Sequence, residues 1–311
     1  MKNIPWLFIF LLLGCQQKEK ETEVPVILFP SELVNVTPLE AEAVFTGTGQ
    51  VEEWDKEIRE RGFILLEDGI YKMWYTGYNK DIDPQMKLGY ATSTDGIKWE
   101  RHPDNPIFEE KWTEDVFVQH QGDTFYMFAE GENDLAHLMT SSDGINWEEK
   151  GDLIIEQSDG QKVIPPYGTP TIWIEKDQWY LFYEKTDMGI WLATSKDLIH
   201  WTNVQDDPVI SLGPETYDVA AVAANQVIHY KGSYYLYYHA TSNHDWLTGK
   251  SSTPIIWTSN IARSDDLIHW TKYEENPIIE GDYSSPIVIM DHQNPTLFTM
   301  HDEVHRFRSG N

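Results

Sequence analysis

Apolar and polar residues alternate in short runs along most of this chain, and the runs are rich in aromatic and β-branched side chains. The segments "GFILLEDGIYKMWYTG" from Gly62, "DVFVQHQGDTFYMFAEG" from Asp115, "PTIWIEKDQWYLFYEK" from Pro170 and "QVIHYKGSYYLYYHA" from Gln226 share one layout. Each has an apolar run, a turn carrying Gly or Asp, and a second aromatic run, which is the pattern of a β-hairpin. No stretch carries the 3.6-residue period of a long amphipathic helix.

A second unit follows each hairpin: "ATSTDGIKWE" from Ala91, "MTSSDGINWE" from Met139, "ATSKDLIHWT" from Ala193 and "ARSDDLIHWT" from Ala262. Asp recurs at positions 95, 143, 197 and 266, and Trp at 99, 147, 201 and 270. The unit predicts a third strand, a turn in which the Asp accepts backbone N–H bonds, and a Trp that packs between sheets. Its spacing, about 48 to 69 residues, is that of a four-stranded propeller blade with variable loops. A fifth hairpin, "SSPIVIMDHQNPTLFTMHDE" from Ser284, has no such unit after it. Its outer strand is expected from the segment "EAVFTGTG" at Glu42, which would close the ring and cover an exposed sheet edge. The expected fold is all-β, a five-bladed β-propeller of four-stranded antiparallel blades over residues 42–311.

Composition agrees with this. The chain of 311 residues holds 13 Trp, 16 Tyr and 12 Phe, and aromatic residues favour strands and sugar-facing surfaces. Fifty-one acidic against 23 basic side chains give a net charge of −28, a field that repels phosphate backbones and anionic lipids, so nucleic acid is excluded as an expected partner. Walker, dinucleotide-fingerprint, HExxH and paired CxxC motifs are absent from the sequence. His244 with Asp245, and Asp291 with His292, are expected to make loop hydrogen bonds rather than to bind metal.

The chain starts "MKNIPWLFIFLLLGCQQKEKE". Its apolar run is too short for a permanent membrane span and fits a secretory signal. Leu12, Leu13, Gly14 and Cys15 resemble the bacterial lipobox, and Cys15 is the single cysteine. The expectation is a signal peptide over 1–15 with Cys15 lipidated, a tether or N-terminal segment over 16–41, and attachment to the envelope of a Gram-negative bacterium, at the outer membrane or in the periplasm. Contact with the membrane is expected only through the lipid.

The two strands of a hairpin begin and end on one rim. Reading the blades in register puts Glu60 and Arg61, Glu114 and Asp115, Thr169, Asn225 and Ser285 at the entrance of the inner strands, and Thr76, Glu130, Glu184, His239 and His301 at the exit of the second strands. Inner strands line the axis of a propeller, so these polar residues converge on an expected pocket. Asp218, ahead of the small-residue run "VAAVAANQV", is expected to be a buried carboxylate. In "EEWDKEIRERGF", Asp55 and Glu60 lead into the first inner strand, with Arg59 and Arg61 placed to pair with them or with substrate.

The Ser-x-Asp-Gly/Leu-x-x-Trp units, the "KMWYTG" and "YMFAEG" endings, and "NPIF" and "NPII" after the Trp resemble the five-bladed β-propeller glycosidases of family 43 and the invertase-like family 32, with this chain a divergent lipoprotein member. The resemblance spans residues 42 to 307 and implies carboxylate acid/base catalysis in an axial pocket, since one carboxyl group must be protonated and another ionised. Asp115 matches the family's acidic position in the second blade. Arg61–Gly62, Thr169–Pro170 and Asn225 depart from the family's residues in the first, third and fourth blades, which implies relocated acids. The candidate catalytic residues are therefore Asp55, Glu60, Glu114, Asp115, Glu184 and Asp218. The candidate substrate-binding residues are Arg59, Arg61, Glu130, Tyr167, Thr169, Asn225, Gln226, His239 and His301. No cofactor is called for, with a structural calcium in the channel left open. The implied activity is a secreted, lipid-anchored, exo-acting glycoside hydrolase of plant or algal oligosaccharides; the alternative is a non-catalytic glycan-binding propeller on the cell surface.

Overall fold

The structure, a computed structural model, describes residues 29–291 and 294–310. The expectations at residues 1–15, lipidation of Cys15 among them, most of the tether, and His292 lie outside the described residues.

Five sheets make five blades. Blade 1 runs Phe63–Glu67, Ile70–Asn79, Asp83–Ser93 and Glu100–Arg101, and blade 2 runs Glu114–Gln121, Thr124–Gly131, Leu135–Ser141 and Glu148–Asp152. Blade 3 runs Gly168–Glu175, Gln178–Glu184, Gly189–Ser195 and His200–Asn203, and blade 4 runs Ala221–Tyr230, Ser233–Thr241, Thr258–Ser264 and Trp270–Lys272. Blade 5 runs Pro286–Asp291, Asn294–Met300 and Glu303–Ser309, and its outermost strand is Val36–Pro38. The innermost strands of neighbouring blades touch in a closed cycle, so the chain is a five-bladed β-propeller.

The repeated turn works as a local clamp. In "STDGIKW", Ser93 Oγ accepts the backbone N–H groups of Asp95 and Gly96, while Asp95 Oδ1 accepts those of Ile97 and Lys98 at 2.8 Å each. The same bonds recur at Ser141/Asp143, Ser195/Asp197 and Ser264/Asp266. The residue after each Asp has positive φ; it is Gly at 96 and 144, and Leu, at φ of 71° and 68°, at 198 and 267. Backbone N–H donors hold the Asp95 and Asp197 carboxyls below the ordinary range.

Each turn then delivers its Trp to the preceding blade. Trp147 meets Trp74 of blade 1, Trp201 meets Phe128 of blade 2, and Trp270 meets Phe182 of blade 3, edge-on at ring distances of 5.9 to 6.4 Å. Trp99 meets Phe298 of blade 5 in the same way. All four acceptor rings are fully buried. Blade 5 has no such turn, so Tyr237 of blade 4 receives no Trp. The N-terminal helix Ser31–Val34 fills that place: Leu33 and Val34 are buried against Tyr237, whose hydroxyl donates to the Leu33 carbonyl at 3.2 Å.

Ring closure thus differs in detail from the expectation. Val36–Pro38 pairs with one end of Glu303–Ser309, while Phe45–Thr46, from the expected segment, pairs with its other end. The propeller's own residues begin before residue 42. The register of blade 5 also pairs Ile287 with Phe298, which puts Met300, and not His301, at the position equivalent to Glu130 and Glu184.

Leu33 is 1% exposed and seals the last interface. Leu33→Ala is expected to lower the unfolding free energy by about 2 to 5 kcal/mol, read by urea denaturation; a loss under about 0.5 kcal/mol would show that the ring closes without it.

Candidate active site

At or just before the start of the first strands of four blades stands a residue in the left-handed region: Arg61 (φ 56°), Asp115 (50°), Thr169 (47°) and Ser285 (57°). Such backbone costs about 1 to 3 kcal/mol per residue and persists only where surroundings enforce it. In blade 4 the equivalent place is a bulge at Asn225. In blades 2, 3 and 4 these places coincide with breaks in the strand pairing.

Arg61 crosses the channel there. It is fully buried, and its guanidinium donates to Asp115 O at 2.7 Å, Pro170 O at 2.5 Å and Thr171 Oγ1 at 2.5 Å, while its backbone N–H donates to Met300 O at 2.7 Å. Thr171 Oγ1 in turn donates to Ala224 O at 3.1 Å, and the Gln226 side-chain amide exchanges bonds with Val288 of blade 5. Burial draws the Arg61 guanidinium down to about 10, so it stays charged at neutral pH.

Above Arg61 lies a cleft of about 350 Å³. One wall is acidic: Glu60, Asp115, Glu130, Asp134, Glu184 and Asp187. The rest of the lining includes an apolar group, Trp246, Leu247, Ile255 and Trp257, from the loop joining two strands of blade 4, together with His239. Trp246 and Trp257 pack edge-to-face at 5.5 Å, and Trp257 sits in the same manner on the His239 ring at 5.4 Å.

The carboxylates occupy different environments. Burial first, and then the charge of Glu60, push the Asp115 carboxyl well above the ordinary range, and its Oδ1 has no protein hydrogen-bond partner. Burial, followed by Asp115 and Glu184, does the same to Glu130. Burial lifts Glu184 to about 7 against the N–H bonds it accepts from Asp187 and, at 2.8 Å, from Gly168. At Glu60 burial is outweighed: His301 at 3.4 Å and Arg59 at 3.4 Å hold its carboxyl at about 2. Burial draws His239 down to about 4, leaving it neutral at pH 7.

Gly168 is the spacer in the acidic wall. Thr169 N donates to Glu130 Oε2 at 2.8 Å, and a Cβ on Gly168 would stand 1.9 Å from that oxygen and 2.8 Å from Glu184 Oε1.

The cleft thus brings together Arg59, Glu60, Asp115, Glu130, Thr169, Glu184 and His239. Glu114 stands behind the lining, accepting the Trp112 indole N–H at 2.6 Å and pairing with Arg59. Asn225 bonds the His239 ring at 3.1 Å, and His301 reaches the site through Glu60.

Four expected residues stand elsewhere. Asp55 is buried between Tyr75 OH at 2.9 Å and Arg101 Nε at 2.8 Å. Asp218 is a buried partner of Lys272 at 2.5 Å on the loop between blades 3 and 4. Tyr167 donates its hydroxyl to Leu153 O at 2.9 Å, and Gln226 ties blade 4 to blade 5. Each is tied to protein partners, Asp218 through Oδ2 alone, its buried Oδ1 having no protein partner, and none lines the cleft. Arg61 is likewise a strut beneath the site rather than part of its lining.

Sequence reasoning missed Asp134, Thr186, Asp187 and the four apolar residues of the blade-4 loop. A signal existed: "ENDLA" and "KTDMG" place an acid four and three residues after Glu130 and Glu184, and "SNHDWLTGKSSTPIIW" is a long insertion with two Trp. His244 and Asp245 lie in that insertion, where Asp245 N donates to Asn243 Oδ1 at 2.9 Å. Among the described residues no three His, Cys, Asp or Glu side chains are grouped as a metal site.

No family model matches the chain. It is 27% identical over 214 residues to a 1,2-β-oligomannan phosphorylase of Thermoanaerobacter, a match covering 62% of this chain and 68% of that protein. A glycosyl hydrolase from Bacteroides ovatus superposes with a TM-score of 0.65 and 18% identity, over 87% of this chain and 92% of that one. A structure from the GH130 family of mannoside phosphorylases, which also contains glycoside hydrolases that target β-1,2 mannosidic linkages in Candida mannan, superposes with a TM-score of 0.64 and 16% identity, over 87% and 92%. The chain therefore shares its fold with the propeller glycoside hydrolases and phosphorylases. The similarity does not single out families 43 or 32.

Two changes test this geometry. Arg61→Met strands two buried carbonyls and removes the charge beneath Asp115, and is expected to cost about 3 to 5 kcal/mol by chemical denaturation. Gly168→Ala forces Glu130 aside; glycan affinity is expected to fall at least tenfold while the unfolding midpoint moves little, and unchanged affinity would remove Glu130 from the binding wall.

Proposed function

We propose that the protein is a glycoside hydrolase that removes a terminal sugar in the axial cleft, with Asp115 as proton donor and Glu184 as base. The observation that carries this is the pairing, in one cleft, of a buried carboxyl whose proton affinity is raised by burial and by Glu60 with a second carboxyl poised at about 7. Asp115 would protonate the glycosidic oxygen as the C1–O bond breaks. Glu184 would take a proton from the water whose oxygen forms the new bond to C1. The ionised Glu60 stabilises the positive charge that develops on the sugar ring. Trp246 and Trp257 offer an apolar face to the C–H side of the sugar, and the remaining acids accept from its hydroxyls.

Water rather than phosphate is the nucleophile this site favours. Among the described residues lining the cleft, Arg59 is the only permanent cation, and Glu60 and Glu114 already engage it. A phosphate would meet the ionised Glu60 and find no uncommitted cation among the described lining residues. The names of the relatives move the proposed substrate from plant or algal oligosaccharides to β-1,2-linked mannosides. The leader and Cys15 support secretion and lipid anchoring at a Gram-negative cell envelope.

The test is hydrolysis of β-1,2-mannobiose with and without about 10 mM phosphate. Free mannose should appear at the same rate in both. Asp115→Asn and Glu184→Gln should each lower kcat by about a hundred- to ten-thousandfold while leaving glycan affinity within a few-fold. Because Glu184 must be ionised and Asp115 protonated, kcat/KM should rise with pH through about 7 and fall again at higher pH. A rate that only falls as pH rises through that value would reverse the two roles, and sugar phosphate as the product would overturn hydrolysis.

A further inference from the structure

A second cleft, of about 530 Å³, lies between blades 1 and 2. It shares a wall with the axial cleft: in the turn from Glu130 to Leu135, Glu130 and Asp134 line the axial side, and Gly131, Glu132 and Leu135 line the groove. Trp112, half-buried, joins the two. Its ring lines the groove, its indole N–H donates to Glu114 Oε1 at 2.6 Å, and Glu114 also pairs with Arg59 of the axial cleft.

The chemistry of the groove is specific. At Gly131 a Cβ would come within 2.9 Å of Leu135 O, so this wall is bare backbone. Gln85, Glu132 and Asp152 present amide and carboxylate groups. Lys111, the one cation among the described lining residues, is held by Glu149 at 2.9 Å and Asp152 at 2.6 Å. An aromatic face with many acceptors and no uncommitted cation suits a neutral polyhydroxyl chain and disfavours phosphate or carboxylate ligands. The volume lies in the range of small-ligand sites.

We propose that this groove is the subsite for the remainder of a neutral oligosaccharide whose terminal sugar occupies the axial cleft, with Trp112 as its stacking platform. The inference rests on the glycan-cleaving reading above. The axial cleft holds the end unit, and the chain leaves radially between blades 1 and 2.

The experiment is calorimetric binding of β-1,2-mannobiose, mannotriose and mannotetraose to the full protein carrying Asp115→Asn, alone and combined with changes in the groove. Affinity should rise about tenfold from the disaccharide to the longer chains. Trp112→Ala should abolish that gain, Trp112→Phe should retain most of it, and Glu132→Trp, which fills the groove from an exposed position, should abolish it independently. Equal affinity for all three lengths, no binding of any, or a gain that survives both Trp112→Ala and Glu132→Trp would overturn the subsite. Length-dependent binding through Trp112 by a protein that cleaves none of the three would leave the subsite standing and sink the hydrolytic reading alone.

Discussion

The buried guanidinium of Arg61 is the constraint on which the rest of the structure depends. A cation at the axis would be costly without partners, and here three oxygens from blades 2 and 3 surround it while its backbone binds blade 5. Arg61 reaches those oxygens from left-handed backbone, and the following Gly62 admits no side chain, because a Cβ would come within 2.6 Å of Trp74 O. The floor of the cleft and the bond network between blades are consequently one object.

That floor shapes the electrostatics above it. Asp115 presents its carbonyl to Arg61 and its carboxyl to the cleft, so a cation lies beneath a ring of carboxyl groups. Gathering carboxyl groups with little water raises their proton affinity, and the same burial makes Glu60 dependent on His301 and Arg59 for its charge. Carboxyl groups of raised and of lowered proton affinity share one cleft because two kinds of neighbour do.

The blades were legible because their turn chemistry is local: Ser, Asp and Trp sit within seven residues of one another and satisfy their own backbone. The inner-rim residues Glu60, Asp115, Glu130, Thr169, Glu184 and His239 were legible because hairpin pairing fixes which rim a strand end occupies. Asp55 and Asp218 misled because a carboxylate entering an apolar run looks the same whether it faces a cleft or an ion-pair partner such as Arg101 or Lys272, distant in the chain. The path of the loop carrying Trp246 and Trp257 is encoded by no periodicity. In blade 5 the short strands Val36–Pro38 and Glu303–Ser309 carry no repeat signature, so the closing pair was only partly anticipated.

The pairing of Val36–Pro38 with Glu303–Ser309 has a temporal consequence. Val36–Pro38 must wait for Glu303–Ser309, which is made after all the intervening blades, before this pairing can form. Such long-range pairing is slow and leaves sticky surface exposed meanwhile. Until Glu303–Ser309 arrives the blades form an open arc, and its pairing with Val36–Pro38 joins the two ends into a sealed wheel.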